Sequence, residues 1–135
     1  MAKLTDEIKN KLWAAAEAAA MQAYAPYSDF HVGAALLTTD DEVVSGCNVE
    51  NASYGLTNCA ERTAVFRAVV EGKLSKGIGI AAIAVVNRDH ESCSPCGACR
   101  QVLVEFGPDA IVLFEHEGQR EELSISALLP ASFQL

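Results

Sequence analysis

The residues with the widest chemistry open to them are five cysteines: Cys47, Cys59, Cys93, Cys96 and Cys99. Cys96-Gly97-Ala98-Cys99 is a C-x-x-C with Pro95 ahead of it. Alone, it fits a redox pair, half a zinc site or two buried thiols. The redox pair belongs near the first helix of a thioredoxin-like order, which this chain does not follow. Cys59-Ala60-Glu61 supplies a third sulfur upstream. Three sulfurs make three corners of a tetrahedron, no other Cys or His obviously completes it, and a catalytic zinc keeps the fourth corner for water. The competing reading is an inert zinc knuckle or a core of free thiols. Glu61 speaks against it, because an acid beside a ligand has no structural need to be there. Cys47, in a strand pattern, is expected to be a packed core thiol. Cys93 is expected to be a loop residue outside the ligand set.

Both cysteine groups fall at expected helix starts. One helix opens near Cys59 and ends before Gly72, with Ala60, Ala64, Val65, Ala68 and Val69 as its apolar stripe and Gly72 at the left-handed cap. Another covers 96–106, opened by Pro95 and closed by Gly107-Pro108. Helix N-termini carry partial positive charge and free N–H groups, which favour the thiolates that bind metal. Cys96 and Cys99 share a helix face. Glu61 lies two after Cys59, about 200° around an ideal helix. It reaches a water at the open corner only if Cys59 sits at an irregular first turn or the side chain folds back. Three thiolates leave Zn²⁺ at formal −1, a poor setting for activating water. Arg62 is the expected cation that hydrogen-bonds a ligand sulfur and withdraws charge, with Arg100 a second candidate.

The remaining elements frame these helices. Residues 5–23 read as an alanine-rich helix with Thr5 as its cap, broken by Tyr24-Ala25-Pro26-Tyr27-Ser28-Asp29. Extended runs at 31–39 and 42–50 flank Asp40-Asp41 as a hairpin, and 51–58 is polar and irregular. Residues 78–86 and 110–115 read as buried strands. Glu117-Gly118 then turns into a short strand at 120–123, and Ser124 caps a last short helix. The order α-β-β-α-β-α-β-β-α predicts an α/β protein, a three-layer α-β-α sandwich on a mixed five-stranded sheet. Sites in such sheets lie beyond the strand ends, where helices begin.

Composition limits what such a site serves. The 135 residues are one domain, 1–135, with one core. Lys+Arg 10 against Asp+Glu 18 gives net −8, a field that repels nucleic-acid backbones and anionic membranes and so argues against either as main partner. No stretch has 18 consecutive apolar residues, and Met1-Ala2-Lys3-Leu4-Thr5-Asp6-Glu7 turns polar before a signal-peptide core forms. An odd cysteine count without a secretion signal points away from a disulfide framework. The expectation is a soluble cytoplasmic protein.

Cys59-Ala60-Glu61 and Pro95-Cys96-Gly97-Ala98-Cys99-Arg100-Gln101 resemble the small, homotetrameric, zinc-dependent cytidine deaminases. The likeness extends to 25–30, 32–36, 46–55 and Leu128-Leu129-Pro130, nearly the whole chain. The resemblance implies hydrolytic deamination of cytidine and 2′-deoxycytidine to uridine and 2′-deoxyuridine, in pyrimidine salvage. It implies one Zn²⁺ per subunit on Cys59, Cys96 and Cys99. It gives Glu61 the work of taking the water proton, delivering it to the ring nitrogen and then to departing ammonia. Asn48 and Glu50 would hold the ribose hydroxyls, the backbone near Ala60 would meet the base, and Phe30 would lie against the pyrimidine. Phe133 would enter a neighbouring subunit's site, with Tyr54 at the same junction. His31, His90 and His116 are expected to be ordinary surface or loop histidines.

Three rivals remain at this level. The same chemistry could act on another aminopyrimidine nucleoside of the blasticidin S type; Tyr27, Phe30 and the Asn48/Glu50 pair favour an unmodified sugar. A polynucleotide editor is disfavoured by net −8 and the lack of a basic-aromatic stripe. A non-catalytic zinc-binding module would have no need of Glu61.

Overall fold

The computed structural model describes residues 4–135. The polar start at Met1-Ala2-Lys3, part of the expectation of no signal peptide, lies outside the described residues. Helix α1 spans Asp6–Ala20; the Thr5 hydroxyl accepts the Ile8 N–H at 3.2 Å, and Asp6 and Glu7 sit where the helix is positive. The alanine run extends to Ala23, yet the helix stops at Ala20. Tyr24 N donates to Asn48 O, and Tyr24 forms a bridge with Val49. That long-range pairing overrides the weak preference of alanine for helix.

Strands β1 (Val32–Thr38) and β2 (Val43–Cys47) form the first hairpin. Its turn is held by Thr38 Oγ1, which accepts the N–H groups of Asp40 and Glu42. Then follow α2 (Ala60–Val70), β3 (Ile80–Asn87), α3 (Gly97–Phe106), β4 (Ile111–His116), β5 (Gln119–Ser124) and the four-residue α4 (Ile125–Leu128). The sheet order is β2-β1-β3-β4-β5, antiparallel throughout except for the parallel β3–β4 pair. On one face, Leu12, Trp13 and Ala16 of α1 pack on Ala35, Ala84 and Val86. On the other, Ala64 and Val65 of α2 and Leu103 of α3 pack on Leu36, Ile83 and Val85. The result is a three-layer α/β sandwich on a mixed five-stranded sheet.

Central β1 is buried along its whole length. β2 is an edge, and Cys47 at its end is half-buried rather than a packed core thiol, because an edge strand has one open side. Gly46 lets α2 approach β2 closely, since a Cβ there would stand 2.4 Å from Ala64 N. At the far end of α2, Gly72 takes φ 74°, and the N–H groups of Lys73 and Leu74 return to Ala68 O.

One consequence of this topology places the site. β2 and β3 are both antiparallel to β1, so they run in the same direction and end on the same side of the sheet. Helices α2 and α3 follow them, so both begin on that side. Among the described residues, no helix is long and apolar enough to cross a membrane.

Candidate functional site

Cys59 is the N-cap of α2 and Cys96 the N-cap of α3; both have extended backbones, with ψ 156° and 167°. Cys99 lies in the first turn of α3 and is fully buried, while Cys96 is exposed and Cys59 half-buried. Their Sγ atoms all lie within 4.8 Å of one another, and Cys59 Sγ is 3.9 Å from Cys96 Sγ. Zinc–sulfur bonds of about 2.3 Å at tetrahedral angles separate sulfurs by about 3.8 Å, so this soft-donor trio fits one zinc ion. Among the described residues it is the one cluster of three or more His, Cys, Asp or Glu side chains set to hold a metal. Cys93 is buried but stands outside it, and burial pushes its thiol up to about 12.

The sulfurs sit in a cationic environment. Arg62 Nη2 lies 3.2 Å from Cys59 Sγ. The Cys99 thiol and then Arg62 draw the Cys59 thiol down to about 5 against the effect of burial, and the same pairing raises Cys99. Arg100, the second candidate for a sulfur contact, turns elsewhere. Its guanidinium donates to Pro95 O at 2.7 Å and Leu128 O at 2.8 Å, tying the loop before Cys96 to the C-terminal helix.

Glu61 is the second residue of α2 and only 4% exposed. Because Cys59 is a cap rather than a helical residue, the 200° separation of an ideal helix does not apply between them. Burial is the main reason its carboxyl is raised to about 7. Such a group holds or gives up a proton near neutral pH.

A cavity of about 550 Å³ opens beside the sulfurs, lined by Phe30, Asn48, Glu50, Tyr54, Cys59 and Arg62 among others. Ala60 and Glu61, both buried, directly follow Cys59 in the chain but are not among the lining residues. Phe133 does not line it; it is 71% exposed, with its carbonyl held by Gln101 Nε2 at 2.9 Å. Asn48 and Glu50 follow β2 and carry bonds that strand spacing alone does not reveal. Asn48 Oδ1 accepts Val32 N–H, and its Nδ2 donates to Phe30 O, both at 2.8 Å. Glu50 Oε1 accepts the amides of Tyr27 at 2.9 Å and Ser28 at 3.1 Å, while Oε2 accepts the Ser28 hydroxyl. Ser28, Asn51, Ala52 and Thr57 also line the cavity and were missed by sequence reasoning; of these, Ser28 is bonded to Glu50. Its turn after Pro26 was a local signal, but its partner Glu50 is 22 positions away.

A sulfur trio with Cys59 in a cavity wall, on a three-layer sandwich with both ligand-bearing helices starting at one side of the sheet, defines a zinc-site protein of the nucleobase-deaminase class. Residues 6–115 match the family model of the cytidine and deoxycytidylate deaminase zinc-binding region, and the chain belongs to that family. It is 51% identical over 113 residues to a cytidine deaminase of Halalkalibacterium halodurans, covering 82% of this chain and 83% of the relative. The crystal structure of cytidine deaminase from Burkholderia pseudomallei is 52% identical with a TM-score of 0.83, covering 92% of this chain and 98% of that one. A blasticidin-S deaminase of Bacillus cereus is more distant, 33% identical over 107 residues and 76% of either chain.

Proposed function

We propose that this chain hydrolyses cytidine and 2′-deoxycytidine to uridine and 2′-deoxyuridine, with water consumed and ammonia released. The observation that carries the reading is the three-sulfur cluster, whose Cys59 lines a cavity, with a buried carboxyl two residues after that ligand. Cys59, Cys96 and Cys99 would hold the zinc, which supplies Lewis-acid activation of the attacking water. Glu61 would take one proton from that water and deliver it to the pyrimidine ring nitrogen. It would then take the second, from the hydroxyl added at the ring carbon, and pass it to the amino group that leaves as ammonia while the carbonyl forms. A carboxyl whose pKa lies near 7 suits both halves of that shuttle. Arg62 withdraws charge from the Cys59 sulfur. Phe30 lies against the base, the backbone at Ala60 meets its edge, and Asn48 and Glu50 receive the ribose hydroxyls. Identity near 50% to proteins named cytidine deaminases favours this substrate over blasticidin S, whose named deaminase is less similar.

We further infer one domain over 1–135 and a cytoplasmic homotetramer serving pyrimidine salvage, with Phe133 of one chain entering a neighbour's cavity and Tyr54, which lines its own chain's cavity, at that junction. Their exposures of 71% and 90% support that reading. The test is purified protein with cytidine, followed by the ultraviolet change to uridine. Turnover is expected, lost with a zinc chelator and regained with added Zn²⁺. Glu61→Gln is expected to keep zinc and fold while losing at least about 10³-fold in kcat. Full activity in that variant would remove Glu61 from the proton transfer, absence of turnover by the wild type would leave only a zinc-binding module, and preferential turnover of blasticidin S would reassign the substrate.

A further inference from the structure

We propose that Ser28 is a positioning residue for nucleoside binding, its hydroxyl tying the Glu50 carboxylate and the Phe30 backbone into one unit. The inference rests on the reading of Glu50 and Phe30 as nucleoside contacts. Its basis is a closed set of hydrogen bonds across two segments far apart in sequence. The Ser28 hydroxyl donates to Glu50 Oε2 and accepts the Phe30 amide at 3.0 Å, while the Ser28 amide donates to Glu50 Oε1 at 3.1 Å. Asn48 holds the other side of the same strap through Phe30 O and Val32 N.

The strap needs holding. Between Ser28 and Phe30, Asp29 adopts φ 57°, a left-handed conformation that is uncommon for a residue with a Cβ, though aspartate takes it more readily than most. Asp29 N donates to Ala25 O, and its carboxylate reaches Arg88 at 3.6 Å, so the turn is fixed on both flanks. Ser28 stands at the centre and joins the two cavity-lining groups. Without its hydroxyl, Glu50 keeps only the two amide donors, and Phe30 N–H loses its acceptor. The aromatic face and the carboxylate would then be ordered independently, and the substrate would bear that ordering on binding.

The charge environment of Glu50 makes the arrangement measurable. Its carboxyl is held below the usual carboxylate range, first by the Ser28 hydroxyl and then by the Tyr27 and Ser28 amides; His31 adds a smaller effect. Arg62 of α2 and the phenols of Tyr27 and Tyr54 line the same cavity. A depressed carboxyl stabilises the strap at every pH above its unfolded value and loses that effect as pH falls through the folded value.

The test uses the zinc-loaded enzyme with Ser28→Ala and Ser28→Thr. Ser28 is exposed, so the extra methyl of threonine has room while the hydroxyl is kept. Ser28→Ala is expected to raise KM for cytidine about fivefold with kcat within twofold of wild type. In carbon-13 NMR of the side-chain carboxyl, it moves the Glu50 titration midpoint upward toward the ordinary carboxylate value. Ser28→Thr restores both. An unmoved Glu50 midpoint, an unmoved KM, or a loss confined to kcat overturns the proposal while wild-type turnover stands. Absence of cytidine turnover by wild type overturns the functional reading itself, and this proposal with it.

Discussion

At the residue scale, the site reduces to how a trio of thiolates is kept from being too electron-rich to help a bound water. Each sulfur carries negative charge, and nothing acidic is wanted near them except the one proton carrier. The chain answers with two helix N-termini and one guanidinium. Arg62 Nη2 stands 3.2 Å from Cys59 Sγ, and among the described residues its Nε is buried without a hydrogen-bond partner. A buried donor held without a partner is unfavourable by about 1–3 kcal/mol, which is tolerable at a place where charge has to be delivered. Arg62→Gln keeps a short polar group but removes the cation. The expected result is a loss of about 10-fold or more in kcat or in zinc affinity, read by turnover and by metal content after dialysis against a weak chelator. Wild-type values for both would show that the helix termini suffice.

At the scale of elements, the same sulfurs are only as well placed as the helices that carry them. α2 is pressed against β2 at Gly46, where a Cβ would stand 2.4 Å from Ala64 N and 2.9 Å from Ala60 O. The obstructing atoms are helix backbone, so no rotamer change relieves the clash. Gly46→Ala must lift the first turns of α2, and with them Cys59 and Glu61. Overpacking of this kind costs about 1–3 kcal/mol, or roughly a 5–10 °C drop in Tm for a chain of this size. Zinc content is expected to fall with it; a variant that melts lower yet keeps full zinc and kcat would place the strain away from the site. This contact also marks the limit of what the sequence makes legible. The α2 stripe of Ala60, Ala64 and Ala68, the Gly72 stop and the helix starts at Cys59 and Cys96 are local patterns, and the structure has them. That Gly46 faces Ala64, that Asn48 binds Val32 N, and that Ser28 meets Glu50 are consequences of register between distant segments, which no window of sequence contains. The same limit explains Cys47 and the end of α1. An edge strand looks like a central one until its neighbours are known, and the alanine run yields to the Tyr24–Val49 bridge.

At the scale of the whole molecule, one chain leaves apolar surface that its own fold does not cover. On α2, Phe66, Val69 and Val70 are 52%, 45% and 88% exposed, and Tyr54 and Phe133 stand out near the cavity and at the C-terminus. Isolated exposed apolar side chains are ordinary; Phe133, whose carbonyl accepts from Gln101 Nε2, is the one proposed to meet a neighbouring chain. If that is a neighbour's cavity, damage to Phe133 and damage to Glu61 belong to different sites in the assembly. Phe133→Ala alone is expected to raise KM several-fold, and Glu61→Gln alone to be nearly inactive. After co-refolding or co-expression, the Glu61→Gln chain lends its intact Phe133 to the cavity of a Phe133→Ala chain, whose Glu61 is intact. Mixed assemblies, sized by light scattering at about four times the 14.3 kDa chain mass, should therefore show a lower KM than Phe133→Ala assemblies for their remaining active sites. If instead each chain uses its own Phe133, every site in the mixture carries one defect or the other. The mixture would then show the KM of Phe133→Ala unchanged, with a rate reduced in proportion to the inactive chains, and completion between subunits would be excluded.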